Sequence, residues 1–268
     1  MDEFSRSNRN LWNEWVHINA ASDLYRLDEF KAGGIKLNDL EQREVGEVNG
    51  KSLLHLQCHF GMDTLSWARL GAEVTGVDYS EDAIAKAVQL ARELKIAARF
   101  FCSDIYALDE VVQEQFDIVY TSYGVLNWLP DIPRWAKIAA DRVKPGGFFY
   151  IAEFHPFAMV LDDEADSYRL RYPYFEKEVM AFDVQGSYAD RNANVETKKE
   201  YGWNHTLGEI VTSLIEAGLT LEFLHEFPFS VYEQLPYLKP DDAGLWRQEG
   251  DPAMMPLMFS LRAKKIKQ

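Results

Sequence analysis

The chain has 268 residues, 47% of them hydrophobic, enough for one large α/β core, or a core plus a small added module, without disulfide or metal staples. Lys plus Arg number 28 against 43 Asp plus Glu, a formal charge of −15 that argues against a nucleic-acid backbone or an anionic membrane surface as partner. No run of about 18 apolar residues occurs, the first ten residues lack the layout of a signal peptide, and Cys58 and Cys102 form no metal-ligand or redox pair, so a cytoplasmic chain without metal is expected.

Trp12, Trp15, Leu24, Tyr25 and Phe30 among charges suggest a helical N-terminal extension over residues 11–30, ended at Gly33-Gly34 and assigned as residues 1–40. Residues 52–57 read as a first buried strand, 64–70 as a helix, and 72–77 as a second strand. Ser80 is placed to cap the next helix, with Glu81 and Asp82 in its first turn and Ile84, Ala87, Val88 and Ala91 at helical spacing. Strands follow at 98–102 and 116–121. Trp135, Ile138 and Ala139 mark a helix stopped at Pro145-Gly146-Gly147, and 148–153 is a fifth strand. This alternation predicts a parallel sheet wound on both faces.

Residues 156–201 break the alternation with tyrosines, phenylalanines and charges, and are expected to form an inserted lid between core segments 41–155 and 202–268. Thr206-Leu207-Gly208-Glu209 has capping-box spacing, and the helix it opens runs to Gly218. Residues 219–227 and 255–262 supply two last strands, expected as a hairpin-like pair at one sheet edge with a long loop between them.

The segment Leu53-Leu54-His55-Leu56-Gln57-Cys58-His59-Phe60-Gly61, followed by Gly76-Val77-Asp78, has the order strand, tight turn, helix, strand, carboxylate. That is the opening of a nucleotide-binding βαβ unit, whose terminal acid takes ribose hydroxyls. A dinucleotide site would want glycine at 57, 59 and 62, because a pyrophosphate must approach bare backbone. Gln57, His59 and Met62 stand there instead, which disfavours an NAD-dependent oxidoreductase.

The stretch LLHLQCHFGMDTLSWARLGAEVTGVD, together with residues 102–105, 116–123 and 143–153, resembles the class I S-adenosylmethionine-dependent methyltransferases, in a bacterial branch of small-molecule type. The resemblance implies a doubly wound, Rossmann-like seven-stranded α/β sheet with its last strand antiparallel and helices on both faces. It also implies S-adenosylmethionine as cofactor, with product S-adenosylhomocysteine, lying across the carboxyl ends of the first strands. By position, Gly61 would back the cofactor, Asp78 hold the ribose, Asp104 and Ile105 meet the adenine, and Ser122 and Tyr123 flank the methionine part. Tyr79 is expected to pack on the adenine. The chain departs from the family at His55, where an acid is usual, and at Gln57 and His59, where glycines are usual. S-adenosylmethionine carries no phosphate, so side chains are tolerated at this turn, and Gln57 or His59 is a candidate to bond its methionine carboxylate.

Methyl transfer is an in-line displacement that needs alignment and a dry pocket more than a catalytic triad. Should a base be used, His155 beyond the fifth strand and His205 before the capped helix are the candidates. Trp128, Tyr172, Tyr174, Tyr188 and Trp203, with the N-terminal tryptophans, are expected to roof a small-molecule methyl acceptor. The alternative from another class is a non-catalytic protein that binds S-adenosylmethionine or S-adenosylhomocysteine. Neither oligomeric state nor the acceptor atom is legible.

Overall fold

The computed structural model of the chain describes residues 2–250 and 254–267; residues 251–253 of the expected final loop lie outside it. Helix α1 (Glu3–Ala21) opens on Asp2, whose side chain accepts from Ser5 N, and is followed by α2 (Leu27–Lys31) and α3 (Asp39–Val45). The helical extension expected over 11–30 is formed by two helices, the first of which begins earlier, at Glu3. Residues 3–10 carry few apolar side chains because that end docks through a polar contact. Buried Asn8 donates to Tyr201 O at 2.7 Å and accepts from Tyr201 N at 2.9 Å.

Strand β1 (Ser52–Leu56), α4 (Met62–Arg69), β2 (Glu73–Asp78), α5 (Glu81–Leu94), β3 (Ala98–Cys102) and β4 (Phe116–Ser122) then alternate. Ser80 caps α5, accepting from Ala83 N at 3.0 Å. Helix α6 (Ile132–Arg142) runs directly into β5 (Val143–Phe154), which starts ahead of the expected residue 148. Buried Val143 already pairs with Phe116, and Pro145-Gly146-Gly147 lies within the strand rather than stopping the helix. A Cβ on Gly147 would lie 2.6 Å from Asp117 O, so only glycine lets the two strands close here.

After β5 the chain forms a two-stranded antiparallel ribbon, β6 (Met180–Asp183) with β7 (Lys199–Gly202). Helix α7 (Leu207–Glu216) follows, capped by the Thr206 hydroxyl on Glu209 N at 3.0 Å. Strand β8 (Thr220–Phe227), the short pair β9 (Leu238–Pro240) and β10 (Trp246–Gln248), and β11 (Met258–Lys264) come last.

The seven strands lie in the order β3-β2-β1-β4-β5-β11-β8, with β11 antiparallel to both neighbours. The sheet is thus the expected Rossmann-like one, and β8 and β11 are adjacent at its edge. Both faces are covered, as a parallel sheet requires. Leu54 and Leu56 pack with Trp135, Phe149 and Leu214 under α6 and α7, while Leu53 packs with Trp67, Tyr120 and Tyr150 on the other face. Strand order reverses between β1 and β4, and the carboxyl ends of strands at such a point frame a ligand crevice. Among the described residues no helix is long and apolar enough to cross a membrane.

Candidate cofactor and acceptor site

The turn after β1 is built from three left-handed residues: Gln57 at φ +55°, His59 at +50° and Gly61 at +79°. The family resemblance leads one to expect glycine at all three, and at 57 and 59 the backbone adopts glycine-type conformations with side chains present. A left-handed non-glycine residue costs about 1–2 kcal/mol, so the surroundings must hold the turn. Cys58 N donates to Val77 O at 2.9 Å, His59 N to Asp78 Oδ2 at 2.8 Å, and Gly61 N to Cys58 O at 3.0 Å. Gly61 has no alternative: a Cβ there would sit 2.9 Å from Ala87 Cβ and from the Phe100 ring. Each of the two unusual side chains has one protein partner. Gln57 Oε1 accepts from the Trp135 indole at 3.4 Å, and His59 Nδ1 lies 3.2 Å from the Tyr25 hydroxyl.

Asp78 ends β2 beside this turn. Its Oδ1 accepts from Ser80 N at 2.9 Å while Oδ2 takes the His59 bond, and burial still pushes the carboxyl up to about 6. Asp104 follows β3, where its Oδ1 accepts from Tyr106 N at 2.9 Å, and the neighbouring Ile105 is buried. Ser122 and Tyr123 close β4. Ser122 Oγ lies 3.4 Å from Asp63 Oδ2, and the Tyr123 hydroxyl donates to Glu41 Oε2 at 2.8 Å. Buried Glu153, near the end of β5, accepts from the N–H groups of Gly124, Val125, Leu126 and Phe154, which fixes the loop that follows Tyr123.

All of these strand ends open into one cavity of about 1340 Å³, whose wall includes Gln57, His59, Gly61, Asp78, Tyr79, Asp104, Ile105, Ser122 and Tyr123. Drug-sized ligands fill pockets of about 300–1,000 Å³, so there is room for a nucleoside cofactor and a second molecule. The roof comes from α1 and the segment after β5. The Trp12 ring centroid lies 5.1 Å from His59, 5.2 Å from Trp15 and 5.3 Å from Trp128, and the Trp15 indole donates to Gly186 O at 2.8 Å. Tyr172, Tyr188 and Trp203 also line it. Tyr174 does not: its hydroxyl accepts from Leu207 N at the start of α7.

The two histidines expected as bases are not on this wall. His155 Nε2 pairs with Glu226 at 2.9 Å and its Nδ1 accepts from Phe157 N at 3.0 Å, which occupies both ring nitrogens. His205 Nε2 bonds Leu129 O at 2.7 Å beside a separate void of about 20 Å³, the size of one water. Burial lowers both imidazoles below their ordinary range. Lys36, Asp63 and Glu200 do line the cavity, and no expectation from sequence included them. Asp63 stands within the first motif, just ahead of the helix expected at 64–70, and Lys36 and Glu200 lie outside any motif. The Glu200 carboxylate makes no hydrogen bond or ion pair among the described residues, and burial raises it to about 7.

Two features of the wall suit an adenosine-type cofactor. His59 Nε2 and the Tyr79 hydroxyl are buried without a partner among the described residues, one at the turn and one beside Asp78. Asp78 keeps unused lone pairs on both oxygens after its two backbone bonds.

Residues 53–147 match a family model described as a methyltransferase domain. A ubiquinone biosynthesis O-methyltransferase of Coxiella burnetii is 34% identical over 118 residues, covering 44% of this chain; the chain spans about half, 49%, of the length of that curated relative. Among solved structures, an S-adenosylmethionine-dependent methyltransferase from Mesorhizobium loti superposes at a TM-score of 0.60, 20% identical over 87% of this chain and 99% of its own. The [4+2]-cyclase SpnF superposes at 0.55, 19% identical over 86% of this chain and 80% of its own. The chain therefore has the fold of the S-adenosylmethionine-dependent methyltransferases.

Proposed function

We propose that the protein is an S-adenosylmethionine-dependent methyltransferase acting on a small-molecule acceptor inside the cell. The observation that carries this reading is the left-handed turn at residues 57–61, clamped through His59 N onto Asp78 at the switch point of the sheet and opening into a roofed cavity larger than one nucleoside needs. The methyltransferase-domain match over the same residues supports it. In this reading Asp78 holds the ribose hydroxyls, Tyr79, Asp104 and Ile105 surround the adenine, and Ser122 and Tyr123 flank the methionine part.

The cofactor supplies, when bound, an electrophilic methyl group on a positively charged sulfur. What the chain contributes is orientation and exclusion of water. Alignment of two bound reactants is worth up to about 7–11 kcal/mol of a barrier, and the Trp12, Trp15, Trp128 and Tyr188 cluster keeps the reacting end dry. No step is assigned to His155, whose ring nitrogens are both bonded, or to His205, whose Nε2 bonds Leu129 O off the cavity wall. The O-methyltransferase name of the Coxiella relative makes oxygen the first acceptor atom to test, with phenols and quinols as the starting panel.

The second reading, a protein that binds the cofactor without transferring methyl, is favoured by the SpnF likeness, since the fold there serves a cyclase. The two are separated by incubating the protein with S-adenosylmethionine labelled on the methyl group and an acceptor panel, alongside calorimetric titration with NAD. We expect label in at least one acceptor and no heat with NAD. Cofactor binding without transfer to any acceptor would favour the second reading, and tight NAD binding would defeat both.

A further inference from the structure

We infer that Glu200 is the anionic anchor of the methyl acceptor, and that this acceptor carries a cationic amine held between the Glu200 carboxylate and the aromatic wall of the cavity. The inference rests on the methyltransferase reading and names the substrate class of that same cavity. Glu200 lies on β7 opposite Phe182 of β6, and the two share the face of the ribbon that looks into the cavity. Lys199 and Asp183, the next pair along, point the other way and join each other at 2.8 Å, so the ribbon's own lysine does not neutralise Glu200. The strand that carries the carboxylate is held firmly. Asn8 bonds both backbone groups of Tyr201, and Trp203 N donates to Asn127 O at 2.9 Å, tying β7 to the loop that follows Tyr123. In the proposed reading that loop adjoins the methionine part of the cofactor, which puts Glu200 on the acceptor side.

The surroundings of this carboxylate select a cation. No hydrogen bond or ion pair reaches it among the described residues, and a buried charge without a partner is costly. Burial raises the acid to about 7, Asp163 adds to the rise, and no cation opposes it. Arg171, on the same wall, is already paired with Asp162 at 3.0 Å and Glu164 at 2.9 Å, and Arg191 stands exposed. The apolar part of the wall is aromatic. Phe182 faces Glu200 across the strand pair with Tyr172 edge-on to it at 5.5 Å, and Trp12, Trp128 and Tyr188 belong to the roof. Ring faces attract a cation and the carboxylate completes its charge, whereas a neutral acceptor leaves Glu200 unpaired and an anionic one meets a like charge. Nine carboxylates line the whole cavity against three lysine or arginine side chains, so the field there has the same sign.

The test is calorimetric titration of the full chain saturated with S-adenosylhomocysteine, as wild type and Glu200→Gln, with three probes on one skeleton. These are tyramine, 4-ethylphenol, which lacks the ammonium, and 3-(4-hydroxyphenyl)propionate, which carries a carboxylate in its place. Wild type is expected to bind tyramine about tenfold or more tighter than either of the others, the scale of a hydrogen bond to a charged group. Glu200→Gln should erase that preference and hold S-adenosylhomocysteine within about twofold of wild type, which also shows that the variant is folded. Equal binding of tyramine and 4-ethylphenol by wild type, tighter binding of the propionate, a preference for tyramine that survives in Glu200→Gln, or binding of none of the three overturns the cation site while the cofactor reading stands. A variant that loses S-adenosylhomocysteine as well assigns Glu200 to the cofactor and overturns it too. Wild type that does not bind S-adenosylhomocysteine overturns the acceptor site and the methyltransferase reading together.

Discussion

At position 57 the structure sets a side chain against its backbone. Gln57 is left-handed at φ +55° and its amide bonds Trp135 weakly, so its conformation costs more than its contact returns. The expected order of stabilities from urea unfolding is Gln57→Gly at or above wild type by up to about 1 kcal/mol, with Gln57→Val at least about 1 kcal/mol below it, since a β-branched residue tolerates this region worst. A valine variant as stable as the glycine one would mean that the turn is not left-handed. Asp78 carries a different conflict. Burial raises its carboxyl to about 6, so its contribution to folding is fully present below the ordinary carboxylate range and is lost as pH rises through 6, while ribose hydroxyls bond most strongly to the ionised form. Affinity for S-adenosylhomocysteine is therefore expected to be level between about pH 7 and 8 and to fall as pH drops through 6. A level profile further into acid would argue that Asp78 does not accept from the ligand. The conflict at 57 is half legible in the sequence, as missing glycines in a recognisable turn. That the backbone keeps their conformation is not legible, because φ is set by the bonds from Cys58, His59 and Gly61 rather than by residue type.

Among the elements, α1 is the one whose role the sequence understates. Its apolar face is short, but Asn8 bonds both backbone groups of Tyr201, and Trp15 reaches Gly186, so the helix ties β7 and the loop before Tyr188 into one roof. Contacts between residues so far apart in the chain leave no periodic signal, whereas the caps at Ser80 and Thr206 act within three residues and are readable from sequence. Replacing Asn8 by alanine removes two buried bonds and should cost about 1–3 kcal/mol. Limited proteolysis is expected to cut the variant within residues 180–202 before it cuts the sheet. Equal resistance of that ribbon in variant and wild type would show that α1 does not hold the roof. The late start expected for β5 has the same cause as the late start expected for α1: Val143 belongs to the strand because Phe116 pairs with it, and proline and glycine read locally hide that partner.

Across the whole molecule, the sheet order is readable because strands and helices alternate in strict succession, and the place of the crevice follows from the reversal between β1 and β4. Which histidines face that crevice is not readable, since His155 is held by Glu226 on β8 and His205 by the Leu129 carbonyl, both far off in the chain. Burial also gives the fold an acid limit. His55 inside β1 is lowered to about 3 from an ordinary 6.5, so the folded chain refuses a proton that the unfolded one accepts, and stability present above 6.5 is lost as pH falls toward 3. The variant His55→Asn should lose less stability on acidification than wild type, by about 1.4 kcal/mol per pH unit below the ordinary histidine value, measured by urea unfolding. Parallel acid limbs would place the effect elsewhere. The central claim concerns the sugar grip and is tested most directly by titrating S-adenosylhomocysteine into wild type and Asp78→Ala at neutral pH. The account predicts one-to-one binding to wild type and an affinity about tenfold or more weaker in the variant. Equal affinities, or no binding to wild type, would contradict it.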